Sequence, residues 1–481
     1  MLKKTVTSTS PLRLTLTTIL ALLSCNIFCS QSAKANVIVA SIFSDHMVLQ
    51  RDQPINIWGK ADPGETIRIE VGKQSRTTVT RKSGDWSITF DAIRSRQPCE
   101  ISIHGKNRLL IRDVKLGDVW LFSGQSNILW PLTYSDRTAG DIRNTEQMNI
   151  RIYEPAGHLE GKWRVVTERS LNDLHLPAIP FLFARGLQIS ENVPVGILLA
   201  AQGAVPIETF LPPQTISRMN QRHFKPTLMP PGVKTGDNYQ ALLKPVLRIG
   251  ISGIIWYQGE ANYQAASQYR SLFPWLITDW RKVMQNSETP FYFVQIPNHG
   301  ARLANPTDSF WADLREAQTA ALALPNVYMV VAIDTVHEEP APLHSKEKRE
   351  IAQRLLNLVR ATQYGARLKA QGPMYRNYQI KGRSIFLAFD PVDARLVSKD
   401  GGTVQGFQLA GKDKIFHRAK AVLIGNRVKL SSPEVSLPVA ARYAWEDNPR
   451  CNIYSNSLPL PPFRTDQWTT HPKLNPADWP K

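Results

Sequence analysis

The spacing of apolar residues changes twice along the chain. In the first stretch it alternates. Thr66-Ile67-Arg68-Ile69-Glu70-Val71 is apolar at every second position and follows the turn residues Asp62-Pro63-Gly64. Trp86-Ser87-Ile88-Thr89-Phe90 repeats the pattern after Ser83-Gly84-Asp85. Period two marks strands with one buried face, and Pro and Gly mark the turns between them, so residues 36–112 are expected to form a small N-terminal β-sandwich. From about Asp113 the apolar residues come in near-continuous runs instead, at 119–122, 195–200, 251–257, 291–296 and 327–333. Helix-like segments at 181–189, 269–284, 312–322 and 346–360 lie between or after them. Such runs fit parallel strands buried on both faces. Their alternation with helices predicts an α/β domain with a three-layer parallel sheet over residues 113–368. After about Gly372 short strands return around Gly-Asn and Asp-Gly-Gly turns, so residues 369–481 are read as a β-rich C-terminal region with a Pro-rich tail.

The first 35 residues fit none of these patterns. Lys3, Lys4 and Arg13 precede and open an apolar stretch over 14–28, and Ala33-Lys34-Ala35 has the small-x-small form of a cleavage site. Residues 1–35 are therefore read as a signal peptide, which sends the protein to the periplasm or the outside. The apolar stretch is shorter than the roughly 20 residues a spanning helix needs, and no later segment resembles one, so no membrane insertion is expected after its removal. Leu22-Leu23-Ser24-Cys25 leaves a lesser alternative, a lipoprotein attached through Cys25. Cys25 and Cys29 fall in the signal. That leaves Cys99 and Cys451, too few for a zinc site and either paired or separately buried.

Composition then narrows the function classes. Hydrophobic residues at 42% and charged residues at 20% describe a folded chain, and 481 residues suit about three domains. The formal charge of +18 raises the question of nucleic acid. Four of the positive charges lie in the signal, and the rest are scattered without a dense run or a recognisable binding module, so no nucleic-acid partner is expected.

Reactive groups in open α/β sheets collect just beyond the carboxyl ends of the strands. Four such ends here are polar: Ser123-Gly124-Gln125-Ser126-Asn127, Gln202-Gly203-Ala204, Gln258-Gly259-Glu260-Ala261-Asn262, and Asp334 followed by His337 and His344. A Ser at a strand-to-helix turn exposes its hydroxyl and leaves its N–H free, which suits a nucleophile beside half of an oxyanion hole, although a Ser there also serves as an ordinary helix cap. That residue is Ser126. His344, in a loop that opens a helix, is placed to be its base. The Gly203 N–H and the side chain of Asn262 or Gln258 are the candidates for the remaining oxyanion donors.

These blocks carry a resemblance. Gly124-Gln125-Ser126-Asn127, Trp256-Tyr257-Gln258-Gly259-Glu260-Ala261-Asn262 and Leu343-His344 resemble the nucleophile, oxyanion and histidine blocks of the sialate O-acetylesterase family of SGNH hydrolases. Further similarity covers nearly all of the chain after the signal: Phe43 to Gln50 near its start, Trp311 to Gln318 in the central region, and Arg442-Tyr443-Ala444-Trp445 near the end. The resemblance implies a serine esterase that removes acetyl groups from sugar hydroxyls through an acetyl-enzyme, without metal or other cofactor. Its partner would be an acetylated sugar or sialoglycan, with 9-O-acetylated sialic acid first and an acetylated polysaccharide such as xylan second.

The chain departs from the family pattern at two places. Many members have an acid just before the catalytic His, whereas Pro340-Ala341-Pro342-Leu343 stands here. Glu260 is the expected substitute as triad acid, because the family's Gln-Gly-Glu block lies near the histidine; Glu338 and Glu339 are weaker candidates, and a dyad without an acid is the remaining option. Ala204 stands where the family has a second Gly. These departures motivate a second reading, a non-catalytic glycan-binding protein on an esterase fold in which Trp130 and Trp256 stack on sugar rings.

Overall fold

The computed structural model describes residues 36–470 apart from 95–98, 138, 143–147, 157–160, 174 and 392–394. The expected signal, with Cys25, and the end of the Pro-rich tail lie outside the described residues.

The central element is a sheet ordered Arg164–Val165, Ile150–Tyr153, Val195–Ala201, Arg108–Gly124, Gly253–Tyr257, Phe291–Val294, Val327–Val330. Six of these seven strands run parallel: Ile150–Tyr153, Val195–Ala201, the final stretch of Arg108–Gly124, Gly253–Tyr257, Phe291–Val294 and Val327–Val330, and Arg164–Val165 alone runs antiparallel. Side chains of one strand alternate between two cores. Leu121, Leu198, Ile254, Trp256 and Phe293 pack under the Ala266–Met284 and Phe310–Thr319 helices. Trp120, Phe122, Ile197, Ile255 and Tyr292 pack under the Ala178–Glu191 and Arg349–Gln363 helices. Burial on both faces is why these strands read as unbroken apolar runs, each large side chain contributing about 1.5–3 kcal/mol.

The Arg108–Gly124 strand belongs to two regions at once. Its first half pairs antiparallel with Cys99–His104, which continues into Thr66–Val71 and Gln74–Val79, and its second half pairs parallel within the central sheet. The expected boundary at residues 112 and 113 therefore falls inside a continuous strand. Ile38–Val39, Ile55–Lys60 and Asp85–Phe90 form a further three-stranded sheet, and its residues share one apolar core with the central sheet. Toward the C terminus two four-stranded sheets and one of three strands enclose a separate core that also takes in Ile333. Cys99 and Cys451 are both free. Among the described residues no helix is long and apolar enough to cross a membrane.

Candidate active site

Three strand ends and one helix entry meet at the site. The Arg108–Gly124 strand stops at Gly124, whose φ of +130° carries the chain sharply into the short Ser126–Leu129 helix. A Cβ at Gly124 would lie 2.1 Å from the carbonyl oxygen of Tyr257, so only glycine allows this turn beside the neighbouring strand. Ser126 is the first helical residue, and its N–H has no intrahelical acceptor. Gly203, just past the Val195–Ala201 strand, lies against it: a Cβ there would be 3.7 Å from Ser126 Cβ. Ala204 follows at φ +56°, a left-handed conformation that explains why a glycine is favoured at this position.

His344 reaches Ser126 from across the sheet. Its Nε2 is 2.7 Å from Ser126 Oγ, and its ring stacks on Trp130 at 5.1 Å between centroids and 19° between planes. Burial, followed by the charges of Lys348 and His299, lowers the His344 pKa from its ordinary value of 6.5, which keeps the imidazole neutral and able to accept a proton at neutral pH. The loop bearing it is tied down at both ends. Gly300 and Ala341 exchange backbone hydrogen bonds on one side, and on the other Asp136 Oδ1 accepts from the N–H groups of Lys348 and Arg349 at the start of the Arg349–Gln363 helix.

The expected triad acids are not in contact with the histidine. Glu260 is buried, but Asn127 stands beside it: Asn127 Nδ2 donates to Glu260 Oε1 at 2.6 Å and to the Leu343 carbonyl at 3.2 Å. Glu260 Oε2 makes no hydrogen bond. Burial raises the Glu260 pKa above its ordinary value, opposed by hydrogen bonds from backbone N–H groups and Asn127 and by the charge of Lys348. Glu339 is taken by Arg302 and Asn448, and Glu338 has no hydrogen bond to His344. The expectation of Glu260 as the acid that orients His344 is not met by a hydrogen bond: Glu260 Oε1 accepts from Asn127 instead. Among the described residues no carboxylate hydrogen-bonds His344.

The amide side chains named as oxyanion donors are also committed elsewhere. Gln258 Nε2 donates to Val205 O at 3.3 Å and to Asn262 Oδ1 at 2.8 Å. Asn262 Nδ2 donates to Glu208 Oε2 at 2.9 Å and to Thr227 Oγ1 at 3.0 Å. All four N–H groups are used, so the oxyanion expectation for Gln258 and Asn262 is corrected: both are buried struts, and Asn262 Oδ1 accepts from Ile207 N–H just after the Gly203 turn. Trp256 is fully buried against Phe210, Phe273 and Trp280 and presents no face to a sugar. Asp334 is held by Arg354 and Tyr454, and His337 pairs with Glu347.

Sequence reasoning passed over Asn127, Lys348 and Asp136. Lys348 is 1% exposed and its Nζ donates to Asn127 Oδ1 at 2.6 Å. Its position four residues after His344, opening a helix, was the available signal.

A neutral histidine against a serine at the carboxyl ends of a mostly parallel sheet is the layout of a hydrolase, and comparison with known proteins makes the chain an esterase. Residues 116–360 match the family model described as carbohydrate esterase, sialic acid-specific acetylesterase, and the chain belongs to that family. It is 26% identical to the sialate O-acetylesterase of Mus musculus, covering 90% of this chain and 95% of the relative. For the human sialate O-acetylesterase the identity is 26%, with 92% and 96% covered. The crystal structure of a carbohydrate acetylesterase from Xanthomonas citri superposes with a TM-score of 0.81 at 32% identity, covering 90% of this chain and 100% of that one. The chain is accordingly a carbohydrate O-acetylesterase.

Proposed function

We propose that this esterase hydrolyses sugar acetates through a Ser126–His344 dyad. Ser126 Oγ attacks the acetyl carbonyl while His344 Nε2 takes its proton. The N–H groups of Ser126 and Gly203 face the developing oxyanion, and the sugar oxygen leaves with the proton from His344. Water, activated by the same imidazole, then hydrolyses the acetyl-enzyme. The observation that carries this reading is the 2.7 Å contact between Oγ and Nε2 on a histidine held neutral by its surroundings. A positioned base is worth roughly 10²–10⁴ in rate, so His344→Ala falls in that range.

The leading substrate is a 9-O-acetylated sialic acid, supported by the names of the mammalian relatives. Helices on both faces of the central sheet support reading residues 113–368 as a three-layer SGNH-type esterase domain between two β-rich regions. The basic and apolar pattern of residues 1–35 supports export. Acetate release by the purified protein from 9-O-acetyl-N-acetylneuraminic acid, acetylated xylan and p-nitrophenyl acetate tests the proposal. Release is expected from the sialic acid and the nitrophenyl ester; xylan as the better substrate replaces the sugar, and no release from any of them overturns the reading.

A further inference from the structure

We propose that Lys348 is a positioning residue of this reaction, the end of a buried chain Lys348–Asn127–Glu260 that holds His344 in place of a triad carboxylate. The proposal rests on the Ser126–His344 reading and concerns what keeps the base in position and neutral.

The chain is fixed by hydrogen-bond chemistry. An ammonium only donates, so the oxygen of Asn127 must face Lys348, and its NH₂ is thereby turned to the two acceptors on the other side, Glu260 Oε1 and Leu343 O. The bond to Leu343 O clamps the peptide directly before His344. The ring is held separately by Trp130, and Lys348 Nζ lies 5.7 Å from the centroid of the same indole. One cation thus acts on the backbone of the base through Asn127 and borders the aromatic surface on which the imidazole rests.

Packing alone does not call for a lysine here. A buried ammonium is costly, and the amino end of a helix disfavours positive charge. Lys348 is nonetheless 1% exposed and immediately precedes the Arg349–Gln363 helix, with Asp136 supplying the cap that the helix requires. Burial pushes the lysine down to about 8, against the charges of Glu260 and Asp136, so it is largely protonated at neutral pH. The titratable groups around His344 are Lys348 from the helix entry and His299 from the loop after Phe291–Val294; Glu260 and Asp136 face Lys348. A triad aspartate would raise the pKa of the imidazole. Burial, with Lys348 adding to it, lowers it instead, so the base is kept neutral to lower pH and is oriented through packing and the Asn127 clamp.

The test compares Lys348→Gln, which removes the charge and, because an amide accepts as well as donates, no longer fixes the orientation of Asn127, with Lys348→Arg, which keeps a donor-only cation. The readout on the full chain is kcat, KM and the pH profile of kcat/KM with p-nitrophenyl acetate. Lys348→Gln is expected to lose about 10- to 100-fold in kcat with KM within about 2-fold, and its acid limb moves to higher pH. Lys348→Arg retains the acid limb of the parent. Wild-type kcat and an unmoved limb in Lys348→Gln overturn the proposal. Should that variant not fold, Asn127→Asp decides: it keeps an acceptor for Lys348 but loses the donor to Leu343 O, so a fall in kcat at unchanged KM is expected and wild-type kcat overturns the proposal. Full activity in Ser126→Ala would instead overturn the dyad itself, so the two failures are distinguishable.

Discussion

At the scale of single residues, the site turns on which nitrogen meets which oxygen. Ser126 and His344 were legible because a strand end followed by a small polar turn, and a histidine opening a helix, are local signals. Glu260 is bonded in a way that spacing does not reveal: the asparagine next to the nucleophile in sequence donates to its carboxylate. The amides of Gln258 and Asn262 follow the same logic, since the acceptors Val205 O for Gln258 and Glu208 and Thr227 for Asn262 lie on segments with no motif of their own. Ala204 shows what one missing glycine does. Its φ of +56° costs an L-residue about 1 kcal/mol, so Ala204→Gly is expected to gain up to about 1 kcal/mol in urea unfolding. A loss of stability in that variant would show that the turn depends on the methyl group.

At the scale of elements, strand ends and helix entries do the positioning. The five apolar runs correspond to five strands of the central sheet, because parallel strands buried on both faces leave that signature. Ile150–Tyr153 escaped the same reading. Arg151 interrupts its apolar character and is nonetheless buried, paired with Asp113 at 3.2 Å. The Pro213–Gln221 helix escaped too, being short and largely polar. The entry of the Arg349–Gln363 helix matters most for chemistry, since the His344 loop leads into it. Asp136 accepts from the N–H groups of Lys348 and Arg349 at 3.0 and 3.1 Å, and Arg349 returns to Asp141. Asp136→Ala is therefore expected to cost about 1 kcal/mol of stability and to lower kcat while the fold persists. Unchanged kcat would separate the cap from the base.

At the scale of the whole molecule, the regions distinguished by hydrophobic periodicity are mechanically joined. The Arg108–Gly124 strand runs out of the N-terminal sheets and ends at the nucleophile turn, a continuity that a change of period near residue 112 conceals. The C-terminal region is tied to the esterase sheet by Arg315. This fully buried guanidinium donates to the carbonyls of Ile296, Pro297, Glu446 and Asp447, and burial lowers its pKa to about 10. Arg464 adds a two-point pairing with Glu316 on the same helix. Arg315→Met leaves four carbonyls without that donor and is expected to cost roughly 3 kcal/mol or more, read as a lower urea midpoint; an unchanged midpoint would mean that the C-terminal region is held by other contacts. All of these ties converge on one claim, that Ser126 carries the acetyl group. The most direct test is the rate of acetate release from p-nitrophenyl acetate by Ser126→Ala beside the parent protein. A fall of about 10³-fold or more at unchanged stability is predicted, and a rate equal to the parent's would contradict it.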